Sequence, residues 1–455
     1  QIITGTADDI GAPADQQGAG LIDAYKASLA AESYDQPSQA PRGTADTLLS
    51  TVSQLNGEGL PGSRQTLTDT ITNNGGKAET VSLSTRAIGT YRPLKSGTVV
   101  LSDTASPHIT DWNGINDNYE PFTFNVPRGQ DRLNVSAAFQ NAGNNATDPA
   151  LKARVRITLV DPDGRLAEYS VPQGDGNFGD VQITEPIAGK WTAYIYSRDS
   201  ADGGTTGPVV VGASSASYTG LGQVSPSTVR IAPGQSAPIR LTVATPSSPG
   251  DASGSILLSS HGQMQSTIPF TLRSQIPTGH AVFNGVLTGG NGREFQAGEA
   301  FYYQINVPAG RPELNATITL ADNPNNEFAA FLINPSGEGQ AYAENTIPIS
   351  NPPTQVLGTQ LHVLSPQAGT WTLAIVFAPQ VSGMALSEPF TVTTNQDAVS
   401  AQSNVPNSPS ANLTGGKAQT FGVTIANNGP DPEVYFLDAR QSTSTTEALA
   451  TQFGT

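Results

Sequence analysis

The loop Asp111-Trp-Asn113-Gly-Ile-Asn-Asp117-Asn-Tyr-Glu120 sets four oxygen-bearing side chains, Asp111, Asn113, Asp117 and Glu120, within ten residues. Carboxylate and amide oxygens grouped in this way are the ligand types that a hard cation such as calcium takes. The spacing departs from that of an EF-hand loop. A plain polar loop ahead of the strand Phe122 to Val126 accounts for the same residues, and loose oxygen patterns favour that plainer reading. Calcium is the one cofactor the residues suggest, with these four as its candidate ligands.

Nucleophilic hydrolysis would need a serine beside a base. The chain has four histidines, His108, His261, His280 and His362, and none lies in a catalytic motif. No Gly-x-Ser-x-Gly elbow occurs. Gly234-Gln-Ser-Ala follows a Pro-Gly turn, where a hydroxyl is ordinary turn chemistry. The histidines are therefore read as surface or loop residues, and no catalytic residue is assigned. Trp191 and Trp371 could stack a sugar or a peptide. Each continues as Trp-Thr-x-x-Ile, which alternates as a core strand does, so both are expected to be buried between sheets.

The elements that carry these residues are short strands. Charged residues make up 13% of the 455 residues, and glycine (47) and proline (34) are abundant. That balance suits strands joined by tight turns rather than long helices. Runs such as Gln65–Thr72, Arg154–Val160 and Ala316–Leu320 alternate with period two between turn residues, the pattern of antiparallel sandwiches. The helical exception lies at residues 20–31, followed by a Pro- and Gln-containing linker at 34–42. Net charge is −16, which argues against nucleic-acid partners and anionic membrane surfaces. No apolar run approaches the roughly 18 residues of a membrane helix, so no membrane insertion is expected. Cysteine is absent, so no disulfide framework forms. The chain opens on Gln1-Ile2-Ile3 and closes on Gly454-Thr455, and it is expected to be a fragment of a longer protein.

Internal repeats organise the chain. Phe124-Asn-Val-Pro-Arg-Gly129 is answered by Ile305-Asn-Val-Pro-Ala-Gly310. Val160-Asp-Pro-Asp-Gly164 is answered by Ile333-Asn-Pro-Ser-Gly337, and Gly189-Lys-Trp191-Thr192 by Gly369-Thr-Trp371-Thr372. The second copy keeps the Pro-x-Gly turn but loses Asp161 and Asp163, which assigns that acidic pair to turn geometry. It also lacks the carboxylates of the 111–120 loop in Gly289-Gly-Asn-Gly-Arg-Glu, so an ion site would belong to the first copy alone. A smaller repeat pairs Ile71-Thr-Asn-Asn-Gly75 with Ile425-Ala-Asn-Asn-Gly429, and both Asn-Gly pairs predict hairpins.

One segment is specific enough to suggest a family. Thr6-Ala-Asp-Asp-Ile-Gly-Ala-Pro13, leading into Asp15-Gln-Gln-Gly-Ala-Gly-Leu-Ile-Asp-Ala24, closely resembles the end of the peptidase domain in subtilisin-like serine proteases. The stretch 224–243 with its Ala-Pro-Gly turn resembles a fibronectin type III-like domain. The large repeats resemble the pre-peptidase C-terminal jelly rolls of secreted bacterial proteases.

The expected fold class is mainly β, with tandem antiparallel sandwiches after a short helix. Its expected parts are a terminal peptidase-domain helix (1–33), an Ig-like sandwich (42–92), a first jelly roll (95–207), a fibronectin III-like sandwich (210–275), a second jelly roll (278–395) and a truncated Ig-like sandwich (405–455). The resemblance implies an extracellular or cell-surface chain whose parent hydrolyses peptide bonds through an acyl-enzyme. Its Asp, His and Ser would lie in a catalytic domain upstream, the principal partner. Protein substrates or the cell envelope would be further ones. A non-enzymatic adhesin or glycan-binding stalk would also explain the repeats and the acidity, but not residues 6–24.

Overall fold

A computed structural model describes residues 1–35, 48–111, 113–139, 155–170, 178–288, 299–347, 354–377, 383–396, 399–406 and 414–427. It is mainly β, and the strands alternate buried and exposed positions as the sequence pattern requires. Residues 1–396 form one compact unit, and the other begins at Asp397. In the second unit Val399–Ser403 pairs antiparallel with Val423–Asn427. Most of the expected sandwich at 405–455 lies outside the described residues.

The segments expected as separate small sandwiches at 42–92 and 210–275 share both sheets of a single sandwich. Arg64–Asn73 pairs with Ser236–Ala244 from Thr72 opposite Ser236 to Arg64 opposite Ala244. Glu79–Ile88 pairs with Gly250–Ser260 and also with Thr228–Ile231. Leu55–Gly59 lies parallel to the end of Gln263–Ser274. One core results, with Ile71, Val81 and Leu83 of the first half packed among Ile239, Leu241, Ile256, Phe270 and Leu272 of the second. The physical reason is size. Each half supplies too few strands to cover its own apolar face, and small cores are marginal. The same pairing overturns the hairpin at Asn74-Gly75. Arg64–Asn73 and Glu79–Ile88 lie in different sheets, so the turn crosses between layers. It is held by Asn73, which donates to the Lys77 and Ile231 carbonyls and accepts from the Gly75 N–H.

Between the halves is the first large repeat, with strands from Arg92 to Ala216. One sheet orders Leu166–Tyr169, Arg156–Val160, Gly189–Arg198, Asn116–Val126 and His108–Thr110. The other orders Phe178–Thr184, Arg132–Phe139, Gly207–Ala216 and Arg92–Leu101. Apart from the edge strand His108–Thr110, which has no counterpart in its sheet among the described residues, the second repeat reproduces this order in Gly339–Glu344, Phe328–Ile333, Gly369–Phe377 and Glu299–Val307, and in Gly358–Leu364, Glu313–Leu320, Glu388–Asn395 and Ala281–Leu287. Register agrees as well: Trp191 stands opposite Phe124, and Trp371 opposite Ile305.

The paired motifs meet in space. Both tryptophans are buried, and each indole N–H donates to the carbonyl four residues earlier, Ile187 at 2.9 Å and Gln367 at 2.8 Å. Pro162 of the Asp-Pro-Asp-Gly turn covers Gly189, and Pro335 covers Gly369. A Cβ on Gly189 would lie 2.9 Å from Pro162, and one on Gly369 would lie 2.7 Å from Pro335. Both glycines also have positive φ, +141° and +135°, so two independent constraints demand glycine. Asp161 accepts from the N–H groups of Asp163 and Arg165, and Asn334 accepts from those of Ser336 and Glu338 in the same way. An amide serves this turn as well as a carboxylate does.

Replacement of Gly189 or Gly369 by Ala should therefore lower stability by about 1–3 kcal/mol in denaturant unfolding, through strain at φ and the proline contact. A chain ended after Ser217 should lose hydrogen-exchange protection over Arg64–Asn73 while the strands of the first repeat keep theirs. Retained protection at 64–73 would show that the first half folds alone.

Candidate functional site

Residues 1–35 form three short helices, Ile2–Gly5, Ala14–Gln17 and Ala24–Asp35. The last begins later than Gly20 because Gly20 and Leu21 are held in extended form. Leu21 and Asp8 exchange N–H to O bonds of 2.8 Å, and a Cβ on Gly20 would meet the Asp8 carbonyl at 2.2 Å. Asp23 then accepts from the Lys26 N–H as a helix cap.

The segment is docked by polar contacts from several directions. Asp9 receives both terminal nitrogens of Arg86, at 2.6 and 2.7 Å, and also accepts from Gln17 and the Gly11 N–H. Arg86 lies 4.8 Å from the Tyr218 ring centre, and the Tyr218 hydroxyl donates to the Gly11 carbonyl. Arg132 donates to Gln16, Thr267 to the Ala19 carbonyl and Ser253 to Asp15. Burial alone would raise the Asp9 carboxyl, but the Arg86, Gln17 and Gly11 donors outweigh it and hold its pKa below the usual carboxylate range. What the segment buries is small: Thr6, Ala7, Ala12, Pro13 and Ala30. What it exposes is large: Ile3, Ile10, Leu21, Ile22 and Tyr25 are each more than half exposed.

One serine, one histidine and one carboxylate do approach each other. Ser260 Oγ donates to Glu79 and lies 3.1 Å from His261 Nδ1, and the same Nδ1 is 3.5 Å from Glu79. This is not a catalytic triad. Ser260 and Glu79 are each 1% exposed, so no substrate carbonyl can reach the hydroxyl. A triad also places the imidazole between acid and serine, using its two nitrogens separately. Here the serine proton goes to Glu79 and one ring nitrogen faces both. The other histidines are scattered: His108 pairs with Asp199 at 3.1 Å, His362 with the buried Glu313 at 2.9 Å, and His280 is exposed.

A cleft of about 630 Å³ opens on the outer face of the first repeat. Its three inner strands contribute alternate residues, and the edge strand two consecutive ones. His108 and Ile109 come from the edge strand, Asp117 and Tyr119 from Asn116–Val126, Tyr194 and Tyr196 from Gly189–Arg198, and Thr158 and Val160 from Arg156–Val160, while Asp111 closes one end. Tyr119 and Tyr194 meet edge to face with ring centres 5.8 Å apart. Burial first, and then the charge of Asp111, raise the Asp117 pKa, and the attraction of Arg156 and Arg198 does not offset them.

The four candidate calcium ligands are not gathered. Asp111 and Asp117 share the cleft. Asp111 spends an oxygen on the N–H groups of Asn113 and Ile115, and Asn113 is exposed. Glu120 is three residues from Asp117 on the same strand, so it projects to the opposite face, where it accepts from Ser106 at 2.8 Å. Among the described residues no group of three or more His, Cys, Asp or Glu is placed to hold a metal ion. Sequence reasoning missed the tyrosines. Their signal was a strand apolar in both phases, with Trp191, Ala193 and Ile195 inward and Tyr194 and Tyr196 outward.

No family model matches the chain, and no curated protein matches it. Similar solved structures include a family 123 glycoside hydrolase from Clostridium perfringens, at 11% identity over 49% of this chain and 23% of that one, with a TM-score of 0.16. The secreted serine protease VesC from Vibrio cholerae is 8% identical over 74% of this chain and 48% of that one, with a TM-score of 0.20. The PBSX exported protein XepA is 9% identical over 68% and 86%, with a TM-score of 0.14. The chain thus spans about a quarter and about half of the first two proteins' lengths. Likeness at these scores carries no argument about activity. Among the described residues no helix is long and apolar enough to cross a membrane.

Arg86→Met leaves Asp9 partly buried without its cation, which should cost about 2–4 kcal/mol and make residues 5–20 sensitive to limited proteolysis. Because the folded Asp9 pKa lies below its unfolded value of 3.8, the pair contributes fully above that value and is lost as pH falls further. Segment release measured by hydrogen exchange should therefore begin only below about pH 4.

Proposed function

We propose that this chain is the non-catalytic β region of a secreted subtilisin-like serine endopeptidase, with residues 1–35 as the seat on which the catalytic domain rests. The observation that carries this reading is the inverted burial of that segment. It buries only small side chains, Thr6, Ala7, Ala12, Pro13 and Ala30, and exposes isoleucines, a leucine and a tyrosine. Large apolar side chains normally go inside, so a segment that turns them outward has the surface expected of one covered by a second body. Its sequence, Asp15-Gln-Gln-Gly-Ala-Gly-Leu-Ile-Asp-Ala24, is the part that resembles a subtilase. The parent reaction is peptide hydrolysis through an acyl-enzyme, and this chain supplies neither nucleophile nor base for it. The β-sandwiches stabilise and position the catalytic body outside the cell and offer surface for protein substrates. An adhesin or glycan-binding stalk would fit the repeats and the cleft, but it leaves residues 6–24 and their exposed apolar face without a reason.

A fluorophosphonate probe applied to the complete gene product should label a serine outside these 455 residues and leave the isolated chain unlabelled. Labelling within this chain, or a gene product that carries no reactive serine, would refute the reading. In the labelled protein, Arg86→Met should lower the thermal midpoint while leaving the labelling rate within about twofold, since the ion pair lies in the seat and not in the reacting site.

A further inference from the structure

We propose that the tyrosine-lined cleft of the first repeat receives the cationic side chain, lysine or arginine, of a polypeptide. The inference does not depend on the protease reading, and its test involves no proteolysis.

The internal duplication supplies the first argument. Strand register places Tyr119, Tyr194 and Tyr196 at the positions held by Ala300, Ala374 and Val376 in the second repeat. Thr158 corresponds to Phe331 by the same register. The inward-facing positions keep their apolar character, with Trp191 matched by Trp371 and Ile195 by Ile375. The fold therefore does not require tyrosine at these three positions, since the second copy places its outer-face aromatics elsewhere, at Tyr302, Phe331 and Tyr342.

Charge supplies the second argument. The carboxylates facing the cleft are Asp111 and Asp117, His108 lines it too, and Asp199 lies 3.1 Å from His108 Nε2. Arg156 and Arg198 lie beside Asp117 in a neighbouring recess. Their pull leaves Asp117 still raised by burial and by Asp111, so further positive charge at the cleft is favourable. An ammonium or guanidinium there would meet the carboxylate of Asp117 and the faces of tyrosine rings, the two partners that such cations take. A neutral sugar would stack on the rings but add no charge to the partial compensation that Arg156 and Arg198 give Asp117. The chain's net charge of −16 steers cationic peptides toward it and repels anions.

The test titrates the 455-residue chain with capped Gly-Lys-Gly, Gly-Arg-Gly and the neutral isostere Gly-citrulline-Gly, and with cellotetraose, following tyrosine ring resonances by NMR. The lysine and arginine peptides should shift the rings of Tyr119, Tyr194 and Tyr196, with the citrulline peptide weaker by about tenfold or more. Asp117→Asn should weaken the cationic peptides by about tenfold. Tyr194→Ala with Tyr196→Val, the residues of the second repeat, should weaken them roughly 3- to 30-fold at an unchanged thermal midpoint. If that double variant melts early, the citrulline comparison and Asp117→Asn still decide. Absence of binding by the wild-type chain, equal binding of the citrulline peptide, or preference for cellotetraose would each overturn the proposal, the last by assigning the cleft to glycans.

Discussion

The pairing of Arg64–Asn73 with Ser236–Ala244 is the interaction on which the rest of the structure depends. It brings together two halves of one sandwich separated by the whole first repeat. The entropic cost of closing so long a connection grows only with the logarithm of its length, and the folded repeat shortens the effective span. The gain is a shared core that neither half could assemble. The docking surface for residues 1–35 is a product of the same closure. Arg86 comes from the first half, Ser253 and Thr267 from the second, and Arg132 and Tyr218 from the repeat and its exit.

The duplication separates what the fold needs from what one copy has added. Both copies share a buried tryptophan tied to a carbonyl four residues back, a proline seated on a glycine of positive φ, and an Asp or Asn that closes a turn. These features are local, and their partners lie within a few residues or across one ladder. The outer faces diverge because no core packing constrains them. The first copy has Tyr119, Tyr194 and Tyr196 there, and the second has Ala300, Ala374 and Val376 at those positions, with its own outer aromatics, Tyr302, Phe331 and Tyr342, placed on other strand positions.

Proximity of the right residue types is not chemistry. Glu79, Ser260 and His261 meet at bonding distance, yet two of the three are sealed from solvent and the proton on the serine is already committed to the acid. The docked segment shows the converse: Asp9 and Arg86 do no chemistry, but they fix the position of a surface whose exposed isoleucines, leucine and tyrosine ask for a partner.

The sequence by itself determined the β class, the strand phases, the duplicated repeats, the buried tryptophans and the turn role of Asp161. Each of these rests on period-two alternation or on contacts a few residues apart, and such contacts are written directly in residue order. Only the tertiary structure decided that 42–92 and 210–275 make one sandwich and that Asn74-Gly75 crosses between sheets. The same holds for Asp117 and Glu120 facing opposite ways, and for three tyrosines from two strands converging on one cleft. Those facts depend on which strand pairs with which across long stretches of chain. Pairing is set by the joint burial of apolar faces, which no local pattern encodes.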